Sequence, residues 1–571
     1  MIRPPFTPLL PAEKRKDLYF LLAILLWLLL PSPLRQLAIP DEGRYADVAR
    51  WMMVSGDWLI PRENGLPFFH KPPLLYWMDA GLFSVFGPQA WVARLPSVMA
   101  GMVLCGGTFW FTRRRVGSAL ARFSTLILAT SMLVFGGSQY VNHDMLVAAG
   151  IALAILCFAD GLLTGRTAPI IVAYVACACA LMSKGLIGVA LPGLVLLPWL
   201  ILTGRWRQLG HLLNPFGIGI FFLLAAPWFV LVQQKFPGFF HYFFIEQQFQ
   251  RYTTGGFNNK QAWWFYIAIL LVLFLPWPLL LPRLSLWKSW NEKLGRELTL
   301  LMLCWVVAVV GFFSIPQSKL IGYVLPATPA IAILLASALQ GQRFGRIKQF
   351  SGPALIAVLG IILLYAIGRA GISSADDRLI VTAACAMLVI MAAVLALLQL
   401  RNDRPDVLLN SVFVAVTWAL VVIVVVAFGD GKNNARDSAV KQWLEPGTEL
   451  VFYRHFWYDL PFILNRTQTT AVVDDWYGVK DDSGAREQKD GAQFDADAAK
   501  RLWEEKDFRQ ALTSGKRMLI LTMPKVRPAE LGTLAPVYRG RNFNAYLIND
   551  ASRKPSSGSA ETSALPPAPA Q

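Results

Sequence analysis

Apolar residues in the first three quarters of the chain fall in runs of roughly 17 to 25, the length at which a helix crosses about 30 Å of hydrocarbon. About thirteen such runs are expected as transmembrane helices, near residues 18–34, 91–111, 119–137, 144–163, 168–183, 186–203, 213–232, 262–281, 297–315, 322–339, 353–368, 379–400 and 407–428. Three intervening segments, 35–90, 138–145 and 233–261, are too long or too polar to be simple turns. Past residue 429 the pattern shortens. "TELVFYRHFWYDLPFILNR", "TTAVVDDWYGV", "RMLILTMPKV" and "FNAYLIN" predict strands and helices of a small α/β domain over 430–551. Residues 552–571, rich in Ser, Ala and Pro and without aromatics, predict a disordered tail. The expected fold is therefore an α-helical polytopic membrane domain over 1–429 with a small extracytoplasmic α/β domain behind it. No repeat of 20 to 50 residues is visible, which counts against solenoids and repeat-built transporters.

Composition agrees, since 55% hydrophobic and 16% charged residues exclude a string of soluble domains. Basic clusters at Lys14 to Lys16, Arg113 to Arg115, Arg205 and Arg207, Lys288 to Arg296, Arg343 to Lys348, and Arg401 and Arg404 all fall on one side when the spans alternate. The positive-inside rule makes that side the cytoplasm, places the N-terminus there, and puts the C-terminal domain outside. The formal charge of +17 then reflects topology and anionic lipid rather than nucleic acid, which is not expected as a partner. The first apolar run follows "EKRK" but has no small-residue cleavage site and reads as a retained anchor. All six cysteines lie within apolar runs, so no disulfide framework is implied.

The first outer segment carries the chemistry. "IPDEGRYADVARWMMVSGDW" predicts a short amphipathic helix at the membrane surface, capped by Asp41, with Tyr45, Val48, Ala49, Met52 and Met53 on its apolar side. Asp41, Arg44 and Tyr45 share one end of it. In "NGLPFFHKPPLLYW", Pro72 extends the backbone at Lys71 and Pro73 suits the first turn of a following helix. An ammonium beside unpaired helix N–H groups suits a phosphate, and the flanking aromatics suit headgroup depth. Each residue also has a plainer reading: Asp41 as a cap, Lys71 as a snorkelling anchor, Arg44 as a partner of Asp47 on a solvated face.

The stretch "DEGRYADVARWMMVSGDWLIPRENGLPFFHKPPLLYW" resembles the first extracytoplasmic loop of the polyprenyl-phosphate-sugar-dependent membrane glycosyltransferases of the GT-C superfamily. The likeness is to the lipid A aminoarabinose transferases and, more distantly, the protein O-mannosyltransferases, and it extends over nearly the whole chain. It implies that Asp41 is the carboxylate at the sugar's reacting centre, supported by Glu42 and Tyr45, and that Asp144 in "NHD", next to His143, completes an acidic pair. Asp144 has a plainer reading too, as the cap of the helix that starts there. The resemblance further implies that Lys71, Arg251 in "QFQRY" and Tyr323 in "SKLIGYVLP" hold the donor phosphate. Lys319, four residues before Tyr323, is expected on the same helix face, and Arg44 is a further candidate. Two positions depart from the aminoarabinose branch: His70 stands where that branch has Glu, and Gln247-Gln248 where relatives show Glu-His. Both remove negative or titratable character near the sugar, which puts its identity in doubt.

Outer sites receive no nucleotide sugars, so the donor is expected on a lipid carrier, for which undecaprenyl phosphate fits. The reaction implied is an inverting transfer of an aminoarabinose-like sugar to lipid A or another lipopolysaccharide component at the outer face of the bacterial inner membrane. Protein O-glycosylation, or modification of another envelope glycan, is the alternative. Asp41, His70, His143, Asp144 and Glu246 could in type hold a divalent metal but lack a tight ligand spacing such as HExxH, so no cofactor is expected. A transporter or flippase of lipid-linked sugars would want charges at mid-membrane, whereas the apolar runs have few in their middles, with Asp160 and Lys184 near ends. A structural or sensor protein leaves the phosphate-suited loop without a purpose.

Overall fold

The computed structural model describes residues 11–250, 260–281, 286–342, 344, 346–369, 375–401, 407–428, 434–476 and 486–549. Arg251 and the 552–571 tail lie outside the described residues, as does the junction at 429 and 430.

Helix α1 (Pro11–Leu29) leads to α2 (Asp41–Ser55), and a short hairpin of β1 (Arg62–Glu63) and β2 (Leu66–Pro67) leads to α3 (Leu74–Phe86). The bundle continues through α4 (Leu95–Arg115), α5 (Ser118–Thr130), α6 (Met132–Ser138), α7 (His143–Thr164), α8 (Thr167–Lys184), α9 (Ile187–Leu202), α10 (Pro215–Lys235), α11 (Phe265–Leu273), α12 (Arg296–Ser314), α13 (Thr328–Leu339), α14 (Ser351–Arg369), α15 (Ala375–Arg401) and α16 (Val407–Phe428). Among the described residues nine helices are long and apolar enough to span a membrane, ten if α5 and α6, bent by 65°, count as one. The other three expected runs are helical but shorter or broken. Helix α9 has 16 residues with Pro192 and Pro198 inside, 262–281 is divided at Pro276, and 353–368 falls in the shorter apolar α14. The chain is a multi-pass membrane protein.

Helix α7 runs through the centre, buried almost from end to end. It lies so close to α8 that a Cβ at Gly150 would meet the Ala176 carbonyl oxygen at 2.9 Å, and one at Gly161 would meet Ile170 at 2.6 Å. Small residues allow this approach, and in lipid the resulting van der Waals contact is what holds helices together.

The C-terminal α/β region is a six-stranded sheet in the order β5-β4-β3-β6-β8-β7, from β3 (Glu449–Tyr453), β4 (Ala471–Val473), β5 (Leu502–Trp503), β6 (Met518–Thr522), β7 (Tyr538–Arg539) and β8 (Asn544–Ile548). The first four strands in that order are mutually parallel, and β8 runs antiparallel to both of its neighbours, β6 and β7. Runs such as "LVFY" and "LILT" are apolar at every position but the last threonine because both sheet faces are covered: Leu450, Phe452, Leu519 and Leu521 on one, Val451, Val473, Ile520 and Tyr546 on the other.

This region sits directly on the first outer segment. Gly43 lies against Asp459, where a Cβ would come within 2.5 Å of the Asp459 Cβ. Asn64 donates to the Thr470 carbonyl at 2.8 Å and accepts from its N–H at 2.7 Å, and Arg50 donates to the Arg466 carbonyl. Helix α2 is therefore buried between bundle and α/β region, not laid open on the membrane surface.

Candidate active site

Glu42 fixes the first turn of α2. Fully buried, it accepts from Arg35, from Arg94 Nε at 3.2 Å, and from the N–H groups of Ala38 at 2.8 Å and Val141 at 2.9 Å. Burial alone would raise its carboxyl, but Arg94 and Arg35 more than offset that and hold it below the usual range. One carboxylate thus joins the first outer segment, the start of α4 and the turn before α7.

Asp41 does not cap the helix. Pro40 occupies the cap position, and Asp41 is the first helical residue with its side chain 37% exposed. Its partners are weak: the Tyr140 hydroxyl at 3.4 Å and Arg44 Nη2 at 3.7 Å. Asp144 does not cap its helix either, because Asn142 takes that role and accepts from the Asp144 N–H at 3.0 Å. The Asp144 carboxylate is ion-paired with Lys184, at the end of α8, and it lies where a Cβ on Gly322 would be. The Lys184 ammonium also lies 4.3 Å from the centre of the Tyr323 ring.

Between these groups stand Tyr45 and His143, ring edge to face at 4.9 Å, with the His143 Nε2 3.1 Å from the Tyr76 hydroxyl. The charges of Asp41 and Asp144 both act on Tyr45, whose phenol is held well above its usual range, chiefly by burial and then by Asp41. The charges of Lys71 and Lys184 both act on His143. Two carboxylates and two ammoniums from four separate segments therefore converge on one buried aromatic pair.

His70 stacks on Phe68 at 4.8 Å and contacts the Tyr242 hydroxyl at 3.1 Å. That hydroxyl donates to Asp490 at 3.2 Å and accepts from Gln247 at 3.1 Å. Tyr242 and Gln247 lie on a stretch of π-helix, His241–Gln250, a geometry that often marks functional sites. Asp490 belongs to α17 (Arg486–Ala492) of the C-terminal region. So does Glu487, which pairs with Arg44.

Arg44 does not pair with Asp47, which instead bonds Arg50 Nε at 2.8 Å. Its guanidinium is enclosed by Glu487, by Glu63 at 3.9 Å, by Asp41 and by the Tyr458 ring at 4.4 Å, so it binds carboxylates and not a phosphate. Lys319 and Tyr323 do not share a helix face. Lys319 lies before the 3-10 turn Ile321–Ala327, and its ammonium is spent on the carbonyls of Gln261, at 3.1 Å, and Pro316. Among the described residues no three His, Cys, Asp or Glu side chains are grouped to hold a metal; Glu246 pairs with His241 at 3.2 Å. Sequence reasoning missed Lys184, Tyr242, Asp490 and Glu487. Lys184, a charge closing an apolar run, was the one legible signal.

The sequence and the overall fold resemble those of known proteins. Residues 70–231 match the family profile described as dolichyl-phosphate-mannose-protein mannosyltransferase. The structure superposes on the crystal structure of ArnT from Cupriavidus metallidurans bound to undecaprenyl phosphate with a TM-score of 0.80 and 26% identity, covering 95% of this chain and 100% of that one. The chain belongs to the GT-C superfamily. Its curated relatives include aminoarabinose transferases. It is 32% identical over 363 residues to the undecaprenyl phosphate-alpha-4-amino-4-deoxy-L-arabinose arabinosyl transferase of Edwardsiella ictaluri, covering 62% of this chain and 64% of that protein. The protein of the same name from Aeromonas hydrophila is 32% identical over 350 residues, with 60% and 64% covered. The chain thus spans somewhat less than two thirds of the curated relatives it matches.

Proposed function

We propose that this GT-C protein is an inverting glycosyltransferase that moves an aminoarabinose-like sugar from undecaprenyl phosphate to lipid A or another lipopolysaccharide component at the outer face of the bacterial inner membrane. The observation that carries this reading is the convergence of Asp41, Asp144, Lys71 and Lys184 on Tyr45 and His143. The ArnT structure with undecaprenyl phosphate supports the choice of carrier. The arginine clusters support the orientation. Arg114 and Arg115 pair with Asp160 at the ends of α4 and α7 remote from Asp144, which by the positive-inside rule supports a cytoplasmic N-terminus and a periplasmic α/β region.

The acceptor oxygen attacks the anomeric carbon as the bond to the lipid phosphate breaks, and the electron pair leaves on the phosphate. Lys71 and Tyr323 bind that phosphate, with Arg251 as a third donor expected from sequence. Such donors act by stabilising charge that grows during the step. The two carboxylates take different tasks because their surroundings differ. Asp144 is held in place by its pairing with Lys184. Asp41, half-open and weakly partnered, faces the nucleophile: as general base to a hydroxyl, worth roughly 10²- to 10⁴-fold, or orienting a phosphate acceptor that has no proton to lose.

An aminated sugar calls for a carboxylate, and His70 stands where the resemblance implies a glutamate. Asp490, 3.6 Å from His70 Nε2, supplies a negative group to the same place from the C-terminal region. Mass spectrometry of lipid A and of envelope glycoproteins, from cells with and without the gene, tests the reading. Loss of an amino-pentose from lipid A is expected, restored by the wild-type gene but not by Asp41→Asn or Lys71→Ala. Unchanged lipid A with altered glycoproteins selects protein O-glycosylation instead.

A further inference from the structure

At the other end of the helices that carry Asp144 and Lys184, a groove of about 590 Å³ opens between α4, α7 and α8, a volume typical of ligand sites. Its walls are apolar along most of their length, with Gly106 and Trp110 on one side and Leu153 and Val172 on the others. No heavy atom lies within 4 Å of where a Cβ on Gly106 would be, so the glycine leaves the groove open. Val172 is 45% exposed, so the wall continues to the outside of the bundle.

The end of the groove is cationic. Arg114 and Arg166 both line it, and the Arg114 guanidinium lies 5.9 Å from the Trp110 ring. Arg114 shares the buried Asp160 carboxylate with Arg115, so three guanidiniums face one carboxylate here. The first turn of α8 begins at the same place without a side-chain cap. An apolar trough with surplus positive charge at one end, beside a tryptophan, is complementary to a molecule with a long apolar chain and an anionic head.

We propose that this groove binds one anionic glycerophospholipid of the surrounding bilayer, with an acyl chain along Gly106 and Val172 and the phosphodiester between Arg114 and Arg166. The site is separate from the donor site, at the opposite ends of α7 and α8. It anchors the inner end of α8, the helix whose outer end presents Lys184 to Asp144.

Native mass spectrometry of the full-length delipidated protein tests it, with dioleoyl phosphatidylglycerol or dioleoyl phosphatidylcholine added back. Arg166→Ala and Gly106→Phe are compared with wild type, each first shown to elute as a single species with unchanged melting temperature. One phosphatidylglycerol per chain should be retained over phosphatidylcholine by about fivefold, as one surface cation implies. Both variants should fall to the phosphatidylcholine level. Equal retention of the two lipids by wild type overturns the proposal. So does preserved selectivity in either variant, because groove and guanidinium would then not hold the same molecule.

Discussion

Lys184, the last residue of α8, is ion-paired with Asp144, the second residue of α7, while its ammonium rests against the face of Tyr323. Three segments far apart in sequence therefore meet at one charge. Lys184→Ala should lower kcat/KM by roughly 10²- to 10³-fold, the scale of losing one preorganised electrostatic donor. The double variant with Asp144→Asn should be no worse than the poorer single, since each single change leaves its partner's charge unmatched. Additive losses in a transfer assay would mean the two side chains act separately.

Asp490 is predicted to recognise the sugar's amine. Asp490→Asn should raise KM for an aminated donor by about tenfold, the equivalent of one modest charge-assisted contact, and leave kcat nearly unchanged. KM for a donor without the amine should not move. Equal effects on both donors would assign Asp490 to holding His70 and Tyr242 in place.

Gly43 is predicted to set how closely the α/β region is seated. A methyl there collides with Asp459 backbone and Cβ, so Gly43→Ala should lower the stability of this contact by about 1 to 3 kcal/mol. The expected readout is faster proteolytic release of the C-terminal region from protein that remains in membranes, together with reduced transfer.

Asp459 makes that seating depend on pH. Burial pushes its carboxyl up to about 6 despite hydrogen bonds from Asn434. An unfolded aspartate titrates near 3.9. The folded state thus binds this proton more tightly, and the stability it contributes is full below about pH 4 and lost as pH rises to about 6, roughly 3 kcal/mol in all. The difference between wild-type and Asp459→Asn melting temperatures, followed from pH 4 to 7, should change across that window; a constant difference would remove Asp459 from the pH response.

The membrane architecture was legible because burial in lipid imposes long apolar runs, and the helix at 41–55 from its 3.6-residue apolar stripe, although the burial of its polar side beneath the α/β region was not. The α/β strands were legible for a similar reason, their apolar runs being bounded by turns. Partners were not. Arg44 was placed on the right helix, yet its acids, Glu63 and Glu487, come from a hairpin and from the far end of the chain. Lys319 was assigned by spacing, but four residues place two side chains together only inside a helix, and the chain enters its 3-10 turn after Lys319. Glu42 was read as a supporting neighbour of Asp41. Its role as the junction of three segments depends on Arg35, Arg94 and Val141, which no local pattern connects.

The pairing of Arg44 with Glu487 spans 443 positions. During synthesis on the ribosome, α2 is made early, yet Glu487 and the sheet that covers the helix emerge only after every helix through α16 has been made. Until then the guanidinium that adjoins Asp41 lacks its strongest partner. A prematurely terminated chain could therefore embed in the bilayer with its first outer segment still uncovered.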